Sequence, residues 1–175
     1  ASTERGMLEM KQTLDFTGEE LARRVDWSAL RATTAVTGTG AATTHNLPSS
    51  FLRMISGQAV TVGTAVVRGG ISAEEFLSLT QVAGTPRFYF VQGRTIQFWP
   101  WLAAATDATI RYQSSFWNTS SAAYVTDTDT ALLPDQLMIK GGIARWRRQK
   151  GMDYPDYQAE YEMAIQQYAA FDDNA

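Results

Sequence analysis

The 175-residue sequence contains no cysteine and a single histidine, His45. Without thiols there is neither a disulfide framework nor a thiolate metal site, so packing must hold the fold. A Cys-His pair is excluded, and no Gly-x-Ser-x-Gly elbow is present to position a serine for a Ser-His-Asp triad. Walker A and dinucleotide fingerprints are missing too: Gly38, Gly40, Gly69 and Gly70 read as isolated turn glycines. No apolar run approaches the ~20 residues that span a bilayer. Ala1 to Gly6 carry no basic stretch leading into an apolar one, so no secretory leader is expected. Charge of one sign is also scarce. Fifteen basic and eighteen acidic side chains, dispersed along the chain, leave a net charge of −3, far from the basic balance of a protein built to grip phosphates. The acidic pairs Asp127/Asp129 and Asp172/Asp173 lack the remaining ligands of a calcium loop and read as solvated acids. No catalytic, metal or cofactor site is expected.

What is present is one domain's worth of apolar residues. Met7, Met10, Leu14, Leu21 and Val25 recur at helical spacing with Gly18 on the same face, which predicts an amphipathic helix from Glu4 to Val25. Thr17 and Glu20 have capping-box spacing and would instead divide this region into two helices; the continuous helix is preferred. After Trp27 and Leu30, Thr, Val and Ala runs broken by glycines predict short strands and turns. Pro48-Ser49-Ser50 opens a helical turn around Phe51 to Ile55. Ser72 with Glu75 predicts a helix from Ala73 to Val82, ended by Gly84 and Pro86. Phe88 to Val91 and Thr95 to Trp99 flank Gln92-Gly93-Arg94 as a hairpin, and Ile110 and Tyr112, alternating with Arg111 and Gln113, form a third, half-buried strand. Asn118 to Thr130 reads as a long surface loop. Pro134 opens a helix running through Trp146 to Lys150, with Gly151 ending it. Asp153 then caps a last helix carrying Tyr154, Tyr157, Tyr161, Ile165, Tyr168 and Phe171, an antiparallel αα-hairpin.

The fold class is therefore α+β: a helical bundle, made of the N-terminal helix and the C-terminal αα-hairpin, with an inserted antiparallel β-sheet and short helix. Residues 1–175 read as one domain, with helical parts at about 4–27 and 133–171 and a β-rich insert at about 31–116. Within the third helix, adjacent Gly141 and Gly142 predict that another backbone or a bulky aromatic crowds that face. Phe98, Trp99 and Trp101 around Pro100 read as core or subunit contact rather than a stacking platform. Arg145, Arg147, Arg148 and Lys150 complement the helix dipole and offer a charged contact as a second role. Tyr168 and Phe171, beside Asp172 and Asp173, extend an aromatic stripe toward a surface where an external partner would explain it. Dispersed charge predicts no large exposed apolar patch, and hence a largely monomeric free subunit.

Taken in order, several landmarks resemble the head-to-tail adaptor (connector) family of tailed bacteriophages. They are Glu20-Leu21-Ala22-Arg23-Arg24-Val25-Asp26-Trp27, Leu47-Pro48-Ser49-Ser50-Phe51-Leu52-Arg53, Gly84-Thr85-Pro86-Arg87 and Ile96-Gln97-Phe98-Trp99-Pro100. Asp127-Thr128-Asp129-Thr130-Ala131-Leu132-Leu133, Leu137, Gly141, Arg145-Trp146 and Lys150-Gly151-Met152-Asp153-Tyr154 follow, with Tyr157 and Tyr161 beyond. The resemblance runs from about Leu8 to Ala170. It departs from the family at Gly57 to Gly70 and at the N-terminus.

This resemblance implies a non-enzymatic virion protein at the neck, assembled in the host cytoplasm. It implies a homo-oligomeric ring, expected to be dodecameric, beneath the portal protein and above the next tail component, a stopper or a tail nozzle or tube protein. DNA would pass through the ring without specific binding, and no membrane partner is implied. The C-terminal segment would reach the portal. Rival readings are a stopper or tail-completion protein, and a carbohydrate-binding or hydrolytic virion module built on Trp99, Trp101 and Asp107.

Overall fold

The computed structural model describes residues 2–41, 44–126 and 128–172. Among them are four α-helices and ten strands, a mixed α plus β chain whose larger sheets are antiparallel. Two compact units emerge, Ala1–Arg31 with Ser114–Ala175, and Ala32–Gln113.

The first unit holds three long helices: α1 (Ser2–Arg24), α3 (Asp135–Gln149) and α4 (Pro155–Asp172), with α3 packed against both others. Helix α1 runs unbroken through Thr17, which does not act as a cap. Its hydroxyl donates to the Thr13 carbonyl at 2.8 Å, and Thr13 likewise donates to Glu9 at 2.8 Å, so two buried threonines are satisfied inside the helix. Gly18 admits the indole of Trp117: a Cβ there would lie under 3.0 Å from three of its ring atoms. Gly141 does the same for Thr17 and Tyr161, whose atoms come within 2.5 and 2.8 Å of a built Cβ, and Leu14 Cδ2 comes within 3.0 Å of one at Gly142. The glycines thus let α1 and α4 approach α3 closely. Pro134 precedes α3, and Gly151, at φ +67°, follows its last turn. Pro155 takes the first position of α4, so the cap position falls to Tyr154 rather than to Asp153.

The second unit is β-rich. Strands β1 (Arg31–Thr37), β10 (Asp107–Ser114), β4 (Val60–Val62) and β5 (Ala65–Val67) lie in that order in one sheet, with β3 (Phe51–Met54) also on β10. The segment from Phe51 is therefore a strand, not the expected helical turn. Phe51 packs its ring 5.6 Å from that of Tyr112, and Ser50 shares a hydrogen bond of 2.9 Å with the Tyr112 hydroxyl. Gln113, expected to face outward, is buried on the central strand. A second sheet joins β2 (His45–Asn46) to the hairpin β7 (Phe88–Gln92) and β8 (Thr95–Trp99), whose turn has Gly93 at φ +59°.

Helix α2 (Ala73–Ser78) begins with the expected Ser72–Glu75 capping box but stops four residues short of Val82. Strand-like pairing wins there: Trp99 donates its indole N–H to the Thr80 carbonyl at 2.8 Å, and β6 (Ala83–Gly84) lies parallel to β9 (Trp101–Leu102). Val60, Val67, Ile96, Phe98, Leu102 and Ile110 belong to this unit's core.

Candidate partner-binding surfaces

Among the described residues no cluster of three or more His, Cys, Asp or Glu side chains could hold a metal ion, and no helix is long and apolar enough to cross a membrane. His45 packs edge-on against Phe98 at 5.8 Å, and burial holds its pKa below the usual histidine value. Trp99 stacks on Phe88 at 6.0 Å, so its ring is engaged within the unit and does not stand free as a platform.

The arginines of α3 separate in space. Arg145 pairs with Glu20 of α1. Arg147 donates to the Asp153 carbonyl at 2.7 Å and sits 4.4 Å from the Tyr157 ring centroid, tying α3 to the start of α4. Arg148 lies 5.9 Å from the Tyr154 ring. Arg145 and Arg148 share a groove of about 370 Å³ with the exposed Phe16, while Arg147 is occupied elsewhere. Arg24 forms hydrogen bonds to both Glu20 and Glu162, and this guanidinium holds the Glu162 carboxyl below its ordinary pKa.

At the far end of α4, Phe171 is 74% exposed. Asp172, one residue on, accepts hydrogen bonds of 2.6 Å from the backbone N–H and the hydroxyl of Ser28, which pins the helix end. Trp27, Leu133, Pro134, Tyr168 and Phe171 line a cleft of about 490 Å³ there, with Asp135 and Asp172 among its acidic residues. The structure thus brings Tyr168, Phe171 and Asp172 together. Asp173, like Asp127, lies outside the described residues.

A larger groove, about 700 Å³, was not foreseen. Helix α1 was expected to bury Met7 and Met10, yet Met7 is 64% exposed and the neighbouring Leu8 61%. Burial on α1 is carried instead by Thr13, Thr17, Gly18, Leu21 and Ala22, all beyond its first two turns. Met7, Leu8, Met10 and Leu14, with the loop residues Tyr124 and Val125, line the groove; Val125 is 69% exposed. The loop is structured. Asn118, buried, donates to the Ala123 carbonyl at 2.7 Å and accepts from the N–H of Ser120 and Ser121. Tyr124 N–H donates to Asp15 of α1 at 2.8 Å. Asp129 accepts from the N–H of Val125 and Thr126, and those backbone bonds hold its carboxyl at a pKa of about 2. The one sequence signal for this groove was that Leu8 and Val125 fit no buried pattern.

Comparison with known proteins decides the family. A family model described as SU10 adaptor protein matches residues 4–175. The chain belongs to the SU10 adaptor family. This is a family of phage head-to-tail adaptors, so membership implies a bacteriophage protein of the virion neck, with portal and tail proteins as its kinds of partner. A structural adaptor family also suggests a non-enzyme. No curated protein matches the chain.

Proposed function

We propose that this SU10 adaptor is a structural ring subunit docked beneath the portal, connecting capsid to tail around the DNA exit channel. The observation that carries this reading is the family match over nearly the whole chain. The surfaces agree with it: a closed ring needs two different faces of one subunit to meet around an axis, and unpartnered apolar residues stand on both units. The excess of acid over base lets DNA slide past rather than bind. In this reading residues 1–175 act as a single adaptor domain assembled in the host cytoplasm, and α1, α3 and α4 form the helical bundle that carries the portal contact. The ring is dodecameric, and its lower face meets the stopper or nozzle.

The portal contact is assigned to the end of α4, where Tyr168 and Phe171 stand half-buried and exposed beside Asp172, with Asp173 next in sequence, an aromatic anchor with acids for a basic-rimmed pocket. Arg145 and Arg148 beside Phe16 are the second portal-facing candidate, with Arg147 on the same helix tied to the start of α4. Mixing the purified chain with portal rings tests this: co-sedimentation in a fixed stoichiometry is expected, and failure to associate at any concentration contradicts it.

A further inference from the structure

Among the uncovered apolar surfaces of the described residues, one on each unit stands out because their rims carry opposite charge. On the first unit, Met7, Leu8 and Val125 open the groove beside α1, and its rim holds the carboxylates of Glu4 and Asp129 against the single ammonium of Lys11. On the second unit, β5 is the edge strand of the five-stranded sheet, and Val66 on it is 44% exposed. Around Val66 lies a hollow of about 560 Å³ lined by Pro86 and Phe88, with the exposed Arg68 and Arg87 and no acidic residue. The units as wholes share this polarity. The first carries ten basic and fifteen acidic side chains, net −5, and the second five and three, net +2.

We propose that the groove of one copy is covered by the β5 edge of a second copy, with Val66 seated against Met7, Leu8 and Val125, and Arg68 and Arg87 facing Glu4 and Asp129. The assignment rests on the ring reading above and names the contact which that reading leaves open. Apolar side chains at the centre lose water on docking, and the charged rims orient the encounter and fix its register. Groove against groove would oppose two rims that are each net acidic, and edge against edge would oppose four arginines; only the heterologous pairing joins rims of opposite net charge. Each copy then offers one patch of each kind, the condition for a chain of contacts that can close.

The chain has no cysteine, so Leu8→Cys with Val66→Cys introduces the only thiols, both at exposed positions where folding is not at stake. Under mild oxidation this full-length double variant is expected to give a ladder of covalent multimers, whereas either single variant stops at dimers in much lower yield. Adding Arg68→Glu and Arg87→Glu is expected to cut the ladder at least tenfold. Met7→Cys with Val66→Cys repeats the test through a second contact. Cross-linking by Leu8→Cys alone as efficient as by the pair overturns the heterologous assignment. Absence of a ladder in both pairs, while wild-type protein forms rings seen by negative-stain microscopy, overturns the assignment and leaves the ring standing. If the wild type forms no ring even with portal present, the ring reading fails and this contact with it.

Discussion

Gly18 and Trp117 interlock: the glycine supplies the gap in α1 that the fully buried indole fills, and that indole in turn donates to the Ala122 carbonyl at 2.8 Å. Trp117 also meets the Tyr124 ring edge-on at 4.8 Å, so the indole that Gly18 admits touches the loop after β10 at Ala122 and Tyr124. Gly18→Ala gains helix propensity of about 1 kcal/mol but forces a Cβ into the ring, and overpacking of this kind costs up to about 3 kcal/mol. A net loss of about 2 kcal/mol is expected by urea denaturation. Unchanged or raised stability would show that Trp117 yields freely.

Gly141 and Gly6 make a matched pair. Gly141→Leu drives a side chain into Thr17 and Tyr161 and is expected to destabilise by about 3 kcal/mol or more. Gly6, also helical, has nothing within 4 Å of a built Cβ. Gly6→Ala should therefore leave stability equal or raise it by up to about 1 kcal/mol. Chemical denaturation giving both variants the same sign of change would refute the crowding argument.

The Tyr161 hydroxyl is buried with no hydrogen-bond partner among the described residues, and burial pushes its pKa well above the usual phenol value. Removing an unsatisfied polar atom costs nothing in lost bonds. Tyr161→Phe is expected to match or exceed wild-type stability, by about 1 kcal/mol at most. A loss larger than that in a thermal melt would mean that the hydroxyl is bonded in solution.

Asp129 closes the loop through the N–H groups of Thr126 and Val125, with its carboxyl at about 2 in the folded chain against an ordinary 3.8. A lowered folded value means that its stabilisation is fully present above the ordinary value and is lost as pH falls through about 2. An NMR titration of the Val125 and Thr126 amides should show a midpoint near 2. A midpoint near the ordinary value would mean that these bonds do not form.

Portal docking through the end of α4 predicts that Phe171→Ala folds as wild type, since the side chain is 74% exposed. It should nevertheless bind portal rings at least tenfold more weakly, the effect of losing a buried aromatic anchor worth about 2 kcal/mol. Undiminished binding, measured by interferometry on immobilised portal, would move the contact to Arg145 and Arg148.

Local signals in the sequence identified most elements because their chemistry is local: the Ser72–Glu75 box, the Gly93 turn, Pro134 and Gly151 each act within a few residues. The paired glycines at 141 and 142 announced a crowded face because a helix tolerates them only for close packing. Misreadings fell where long-range pairing overrode local preference. Phe51 joined β10 as a strand, and Thr80 to Val82 lie outside α2, their end carbonyls accepting hydrogen bonds from Trp99 and Trp101. The groove at Met7 and Leu8 was hidden because periodicity shows which residues share a face, not where along α1 its covering neighbours stop.

The most direct measurement of the central claim is cryo-electron microscopy of the phage particle at the neck. Density for this chain, recognisable by the α3 and α4 pair and the β7–β8 hairpin, is expected as a ring between the portal and the next tail component. Density for it elsewhere in the virion, or a neck ring built by another chain with this one absent, would contradict the claim.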